Sequence, residues 1–280
     1  MVEENSIFLS TQELQELIDS GSCQAIDSTI IPGASALEAH FETRIKSAKF
    51  FNILEIKDKT SSHTCAMPSK SDFTEFMKQL GLPNDGRLVV VYDQQGVITS
   101  PRGWFMLKYF GYPQVRILDG GLPKWVSESR PTESGTYPHM QNASVEPNLY
   151  QFSEHSEIRA LFEDIKTLVE KKTEGDNSVQ FWDPRPPSVF ESGSIPYAHN
   201  FPAKDCFNED KTIKPKQEVE RLMRENGIDL DKTVITSCLK GNTSSLGYML
   251  LKYVGKQEAK NYTGSYEEWV MFTQKAFNEA

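Results

Sequence analysis

Apolar positions in this chain recur with two alternating spacings. Over residues 10–19, Leu14, Leu17 and Ile18 share one helical face, and Ser10 with Glu13 reads as a capping box, so a helix is expected. Residues 24–27 read as a short buried strand, and 71–80 as a second helix with Phe73, Phe76, Met77 and Leu80 inward, stopped at Gly81. The run Leu88-Val89-Val90-Val91-Tyr92 is apolar without alternation, which suits a strand covered on both faces. A helix over 102–110, ended by Gly111, and a strand over 115–118 follow. The same succession then returns: helix 156–171, strand 179–182, helix 216–226, strand 233–237 and helix 243–254. Strands alternating with helices imply an α/β protein whose parallel sheets are flanked by helices.

The second succession is a repeat of the first. Leu107-Lys108-Tyr109-Phe110-Gly111 recurs as Leu251-Lys252-Tyr253-Val254-Gly255, and Asp119-Gly120-Gly121-Leu122-Pro123-Lys124-Trp125 as Thr263-Gly264-Ser265-Tyr266-Glu267-Glu268-Trp269. The offset agrees in both blocks, since 252 − 108 = 144 and 269 − 125 = 144. A period of this length is a domain and not a solenoid unit. Two domains are therefore expected, over 1–135 and 148–280, with a linker over 136–147 in a stretch carrying Pro131, Gly135, Pro138 and Pro147.

Composition narrows the partners. The 280 residues, 38% hydrophobic and 25% charged, suffice for two ordinary cores. A net charge of −9 disfavours nucleic acid and anionic membrane surfaces, and no apolar run approaches a membrane span. The first residues, Met1 to Ser6, are acidic and have neither the apolar stretch of a secretory signal nor the Arg-rich character of a transit peptide, so a cytoplasmic location is expected. Four cysteines in a chain this long do not make a disulfide framework. The five histidines show no paired-ligand spacing, and no metal site is expected. Trp125 and Trp269, at equivalent places in the repeat, read as packing anchors.

Candidate chemistry gathers at 234–245, where a strand (Val234 to Ser237) runs into Cys238, a short loop and then a helical pattern. A cysteine at such a turn meets inward-pointing N–H groups and the positive end of a helix, which lower a thiol pKa from its reference of about 8.5. Lys240 adds a cation, Gly241 lets the backbone curl, and Thr243 is placed to cap the helix. The competing readings are a structural core thiol for Cys238 and a solvated surface charge for Lys240. Cys23, Cys65 and Cys206 read as core or incidental thiols.

Further blocks carry a family resemblance. They are Ile26-Asp27-Ser28, Val89-Val90-Val91-Tyr92-Asp93, Arg116-Ile117-Leu118-Asp119-Gly120-Gly121-Leu122-Pro123-Lys124-Trp125, Asp183-Pro184-Arg185, the Cys238 loop, and Tyr262-Thr263-Gly264-Ser265. Their shared order, doubled along the chain, resembles the tandem rhodanese-domain sulfurtransferases, the family of the thiosulfate and mercaptopyruvate sulfurtransferases. The resemblance implies two rhodanese-like domains. By the same resemblance the first is expected to be inactive, because Asp93 stands at the cysteine position. It also implies Cys238 as the sulfur-accepting nucleophile, Arg185 and Lys240 as groups that bind the donor, and a persulfide cradled by the backbone of Leu239, Gly241, Asn242 and Thr243 without metal or organic cofactor. For Arg185 an ion pair with Asp183 or Glu191 is an equal reading. The partners so implied are a small anionic sulfur donor and an acceptor that is cyanide or a thiol, a thioredoxin-like reductant among them. Members of the family also occur in mitochondria.

Departures from the family pattern bear on the donor. Val189 stands where a second arginine is common. Leu54 and Cys65 occupy the places of an aspartate and a histidine of the mercaptopyruvate branch, with His63 two residues out of register. Lys240 matches a lysine of the thiosulfate-using branch, so thiosulfate is the expected donor; mercaptopyruvate, or a low-turnover sulfur-relay role, is the alternative. A cysteine-loop phosphatase is a poor fit, because Ser244 stands where such a loop needs its phosphate-binding arginine.

Overall fold

The structure, a computed structural model, describes residues 6–61, 63–136 and 150–278. The expected linker lies outside the described residues from 137 onward. The chain divides into two compact units: unit 1 comprises Met1–Lys59, Met67–His155 and Glu209–Ile213, and unit 2 comprises Thr60–Ala66, Ser156–Asn208 and Lys214–Ala280. The units depart from the expected division at the short segments 60–66 and 209–213, and residues 150–155, expected in the second domain, belong to unit 1.

Unit 1 contains β1 (Phe8–Leu9), α1 (Thr11–Asp19), β2 (Cys23–Asp27), α2 (Ala36–Glu42), β3 (Arg44–Ile45), β4 (Lys49–Phe50), α3 (Lys70–Leu80), β5 (Leu88–Tyr92), α4 (Ser100–Tyr109), β6 (Val115–Leu118), α5 (Gly121–Ser127) and β7 (Thr132–Glu133). Its five-stranded sheet has the order β1-β6-β5-β2-β4, with every pairing parallel. The short β3 and β7 form a separate antiparallel pair. The apolar run of β5 is the centre of the sheet, with Val89, Val90, Val91 and Tyr92 buried, as a strand covered on both faces requires. Leu9, Leu14, Val90, Leu118 and Trp125 pack into one core cluster, which fixes α1 and α5 against the sheet. The capping box of Ser10 and Glu13 is formed, and α3 ends on Gly81 in the left-handed conformation.

Unit 2 contains β8 (Arg159–Ala160), α6 (Phe162–Thr173), β9 (Val179–Asp183), α7 (Pro187–Phe190), β10 (Ala198–Asn200), α8 (Lys216–Glu225), β11 (Thr233–Thr236), α9 (Asn242–Tyr253), β12 (Ala259–Tyr262) and α10 (Ser265–Asn278). Its sheet runs β10-β9-β11-β12-β8, all parallel, so β8, β12, β11, β9 and β10 take the places of β1, β6, β5, β2 and β4. This is the expected α/β architecture, with one parallel sheet flanked by helices in each unit. The central strand β11 runs into α9, whose Ser244 to Leu251 are all buried, and the turn between them lies at the carboxyl end of the sheet. Loops at that end, beside a strand whose neighbours connect in opposite directions, are where open α/β sheets hold ligands.

One expected element is corrected. The helix expected over 156–171 is three elements: a 3-10 turn at Ser156–Ile158, strand β8, and α6 beginning at Phe162. Pairing of Ala160 with Tyr262 completes the edge of the sheet, and this tertiary demand overrides helical spacing. Among the described residues no helix is long and apolar enough to cross a membrane.

Candidate active site

The turn from β11 to α9 is closed by Gly241, the N-cap of α9, at φ 90°. A Cβ there would fall on the Thr263 carbonyl oxygen, so the backbone can pass this close only as glycine. The close approach aims the Gly241 N–H at Cys238, and it donates to Sγ at 3.1 Å. Cys238 is 2% exposed. The N–H groups of Asn242 and Thr243 stand in the first turn of α9, where backbone donors have no intrahelical partner. Thr243 does not cap the helix as expected, since Gly241 takes that position and no side chain bonds to the helix start; Ser245 Oγ instead donates to Gly241 O at 3.0 Å. The sulfur therefore sits at the positive end of α9 with an amide directed at it, an arrangement that receives an anion.

The far wall of the loop is the first turn of α10. Tyr266 N–H donates to Cys238 O at 3.0 Å and Glu267 N–H to Leu239 O at 2.9 Å. Ser265 Oγ accepts the Cys238 N–H at 3.0 Å, donates to Tyr262 O at 2.9 Å, and lies 3.7 Å from Sγ. Ser265 holds φ 55°, a left-handed conformation that is uncommon without glycine, and the equivalent position of unit 1 is Gly121 at φ 57°. A serine kept in a glycine conformation points to a need for its hydroxyl. In the sequence Ser265 stands within a matching block, and the signal that sets it apart is the contrast of Gly120-Gly121 with Gly264-Ser265.

Unit 1 shows the same turn filled by a different anion. Asp93 is fully buried where Cys238 stands in unit 2. Its Oδ2 accepts the N–H groups of Ile98, Thr99 and Ser100, each at 2.8 Å, and its Oδ1 accepts that of Gln95 at 2.8 Å. Leu122 N–H donates to Asp93 O at 2.9 Å, matching the bond from Tyr266 to Cys238. The turn before α4 is thus an anion cradle occupied by its own carboxylate.

The expected donor-binding cations are placed differently from one another. Arg185 is 2% exposed, and its guanidinium is hydrogen-bonded within unit 2. Its Nε donates to Asp183 Oδ1 at 2.9 Å, Nη2 to Asp183 Oδ2 at 2.6 Å and to Gly193 O at 2.7 Å, and Nη1 to Val189 O at 3.1 Å. Of the two readings of Arg185, the geometry displays the ion pair with Asp183. Lys240 is 48% exposed, and its Nζ lies 3.8 Å from Glu267 Oε1. Glu267 is anchored in turn by Thr64, whose N–H reaches Oε2 at 2.7 Å and whose Oγ1 reaches Oε1 at 2.8 Å. Beside it, His63 Nε2 lies 3.2 Å from Glu268 Oε1. Burial acts to raise the Glu268 pKa, but hydrogen bonds from His63 and Tyr262 and the charges of His63 and Arg159 outweigh it, so the carboxyl sits below its ordinary value. In the sequence His63 stands out of register, and no local pattern marks either glutamate. The link spans some two hundred residues of chain, and only the fold makes it.

Burial pushes Cys23 up to about 11 and Cys206 up to about 12. All four cysteines are unpaired by disulfides, and among the described residues no three His, Cys, Asp or Glu side chains gather to hold a metal ion.

A doubled parallel α/β unit with a cysteine at the mouth of one anion cradle and a carboxylate in the other defines the class. A family model described as "Rhodanese-like domain" matches residues 10–128 and again 166–272, and the chain belongs to the rhodanese family. It is 32% identical to thiosulfate sulfurtransferase of Gallus gallus over 239 residues, covering 81% of this chain and 78% of that protein. To 3-mercaptopyruvate sulfurtransferase of Homo sapiens it is 29% identical over 250 residues, covering 85% of this chain and 81% of the other. The crystal structure of SseA from Escherichia coli, titled for 3-mercaptopyruvate sulfotransferases, matches with a TM-score of 0.82 at 26% identity, over 94% of this chain and 99% of that one. Within its family the protein is a sulfurtransferase.

Proposed function

We propose that this sulfurtransferase takes the outer sulfur of thiosulfate onto Cys238 and passes it to cyanide or a thiol. One observation carries the reading: Cys238 Sγ stands at the N-terminus of α9 with the Gly241 N–H 3.1 Å away, and Lys240 follows two residues later. The Cys238 thiolate attacks the sulfane sulfur, the S–S bond of thiosulfate breaks, and its electron pair leaves on sulfite. The outer sulfur of the resulting persulfide carries the negative charge, and the cradle that serves a carboxylate in unit 1 serves it in unit 2. An acceptor nucleophile then attacks that outer sulfur, and the bonding pair returns to Cys238 as thiolate. Lys240 and the loop amides offset the donor's charge, while Arg185 is held by Asp183 and by the carbonyls of Val189 and Gly193.

A second reading has 3-mercaptopyruvate as donor. It is favoured by the Ser265 hydroxyl 3.7 Å from Sγ, a group able to pass a proton as a C–S bond breaks. Relatives named for either donor are similar to this chain.

Intact mass after exposure to thiosulfate tests the proposal. The expected result is a gain of one sulfur atom that maps to Cys238 and is lost on adding cyanide. Rates with both donors at matched concentration then choose between the readings; a clear preference for mercaptopyruvate, unaffected by Lys240→Ala, overturns the thiosulfate assignment.

A further inference from the structure

Glu267 has no part in the transfer chemistry outlined above, yet three elements of the loop region meet on it. Its backbone N–H donates to Leu239 O at 2.9 Å, directly behind the cysteine. Its carboxylate receives both the N–H and the hydroxyl of Thr64, at 2.7 and 2.8 Å. The Lys240 ammonium faces the same carboxylate at 3.8 Å.

These contacts differ in firmness. Two short hydrogen bonds from Thr64 fix the carboxylate without help from the lysine, and the Glu267 side chain is only 25% exposed. Lys240 is the looser partner: its Nζ is at the outer edge of ion-pair distance, and its four-carbon stem is half in solvent. A flexible cation beside a fixed anion has two stations, one against the anion and one against whatever negative charge enters the loop. Whichever charge the fixed anion carries sets how readily the cation leaves it.

We infer that Glu267 is a specificity-determining positioning residue, which holds Lys240 in reserve and makes an anionic sulfur donor compete with it for that lysine. The inference rests on the assignment of Cys238 and Lys240 to the donor site. It adds that the loop discriminates against weakly charged anions, because a donor must outbid a carboxylate already in place. A compact dianion does this better than a monocarboxylate, and a neutral donor does not engage Lys240 at all.

The test uses charge as its readout and does not depend on turnover. Iodoacetate and iodoacetamide alkylate a thiolate by the same displacement, with iodide leaving, and differ in that the first is an anion. The ratio of their rate constants at Cys238, followed by peptide mass on the full-length protein, reports the charge that an incoming anion meets. Glu267→Gln, which keeps an amide oxygen for Thr64, is expected to raise this ratio about two- to fivefold at low salt, the range of an exposed ion pair. The gain should shrink as salt is added, and should be clearly smaller in a Lys240→Ala background. Thr64→Val, which removes the hydroxyl bond but leaves both charges, should not reproduce the gain. An equal gain with and without Lys240, no gain at all, or the same gain in Thr64→Val overturns the inference. If thiosulfate leaves no sulfur on Cys238, the donor assignment falls by that observation, while the alkylation ratios still decide the role of Glu267. Where thiosulfate does react, kcat/KM should rise in Glu267→Gln by the same factor as the ratio.

Discussion

Replacing Arg185 by alanine separates a structural ion pair from a donor-binding group. The guanidinium is buried, makes a two-pronged contact with Asp183, and satisfies the carbonyls of Val189 and Gly193. Asp183 is itself fully buried at the end of β9, where Asn200 also donates to its backbone carbonyl at 3.0 Å. Removing one member of such a pair strands the other, at a cost of about 3–5 kcal/mol. Burial pushes the Asp183 carboxyl up, and the hydrogen bonds and charge of Arg185 are what oppose that rise. Without the arginine the folded carboxyl is raised further above its unfolded value. The folded variant then binds a proton that the unfolded chain has released, so its stability falls as pH rises through that interval. The deficit relative to the parent protein should accordingly be largest near neutral pH and shrink on acidification. Urea unfolding followed by tryptophan fluorescence, with Trp182 buried next to the pair, measures this at several pH values. Arg185→Lys should lie between the two, because a lysine keeps the charge and loses the fork. A variant that unfolds at the parental midpoint, and shows only a raised donor KM, would refute the structural assignment.

Three other outcomes are expected. Gly241→Ala should cost at least about 2 kcal/mol, since the new Cβ meets the Thr263 carbonyl at a positive φ, and should slow Cys238 alkylation by moving the Gly241 N–H; a variant as stable and reactive as the parent contradicts the geometry. Asp119 is raised to about 6, chiefly by burial, with the nearby Asp210 charge adding and the Ile213 N–H and Lys124 opposing. Its folded pKa exceeds the unfolded one, so its contribution to stability is present below about pH 4 and lost as pH rises to about 6. Asp119→Asn should remove that dependence, worth up to about 3 kcal/mol, and a pH–stability curve identical to the parent's would dismiss it. Cys238→Ser should abolish sulfur uptake with the fold intact, as seen by intact mass and circular dichroism, whereas Cys23→Ser and Cys206→Ser should retain it; if either of those is equally damaging, the nucleophile is wrongly assigned.

Where local pattern and tertiary demand agree, the sequence is legible to the residue. The runs at Leu88–Tyr92 and Val115–Leu118 are strands at their expected bounds, because each is an interior strand of the sheet whose buried positions are filled by apolar side chains. The capping box at Ser10 and the stop at Gly81 succeed for a similar reason, since their signals are chemical and local. The two-residue edge strands β1 and β8 carry too little pattern to be read, and β8 lies inside a stretch that reads as helix. At the site, Cys238 and Gly241 were legible as a strand-to-helix turn. The choice of partner for Arg185 was not, because Asp183 and Glu191 are both within reach in sequence and only burial distinguishes them. Glu267, Glu268, His63 and Thr64 belong to contacts that join distant parts of the chain, and no periodicity encodes such a meeting.

Asp93 gives the first half of the molecule a kind of independence. The anion that its amides surround is tethered to the same loop, so its effective concentration is set by a few covalent bonds and exceeds that of any dissolved competitor. Sulfite, phosphate and thiosulfate in the medium should leave that turn unchanged. The second half offers its turn to an atom whose charge depends on its chemical state. By reciprocity, any charge that the loop stabilises on Cys238 stabilises the loop to the same extent. One half is a lock with the key cast into it, while on the proposed chemistry the firmness of the other would record whether sulfur is aboard.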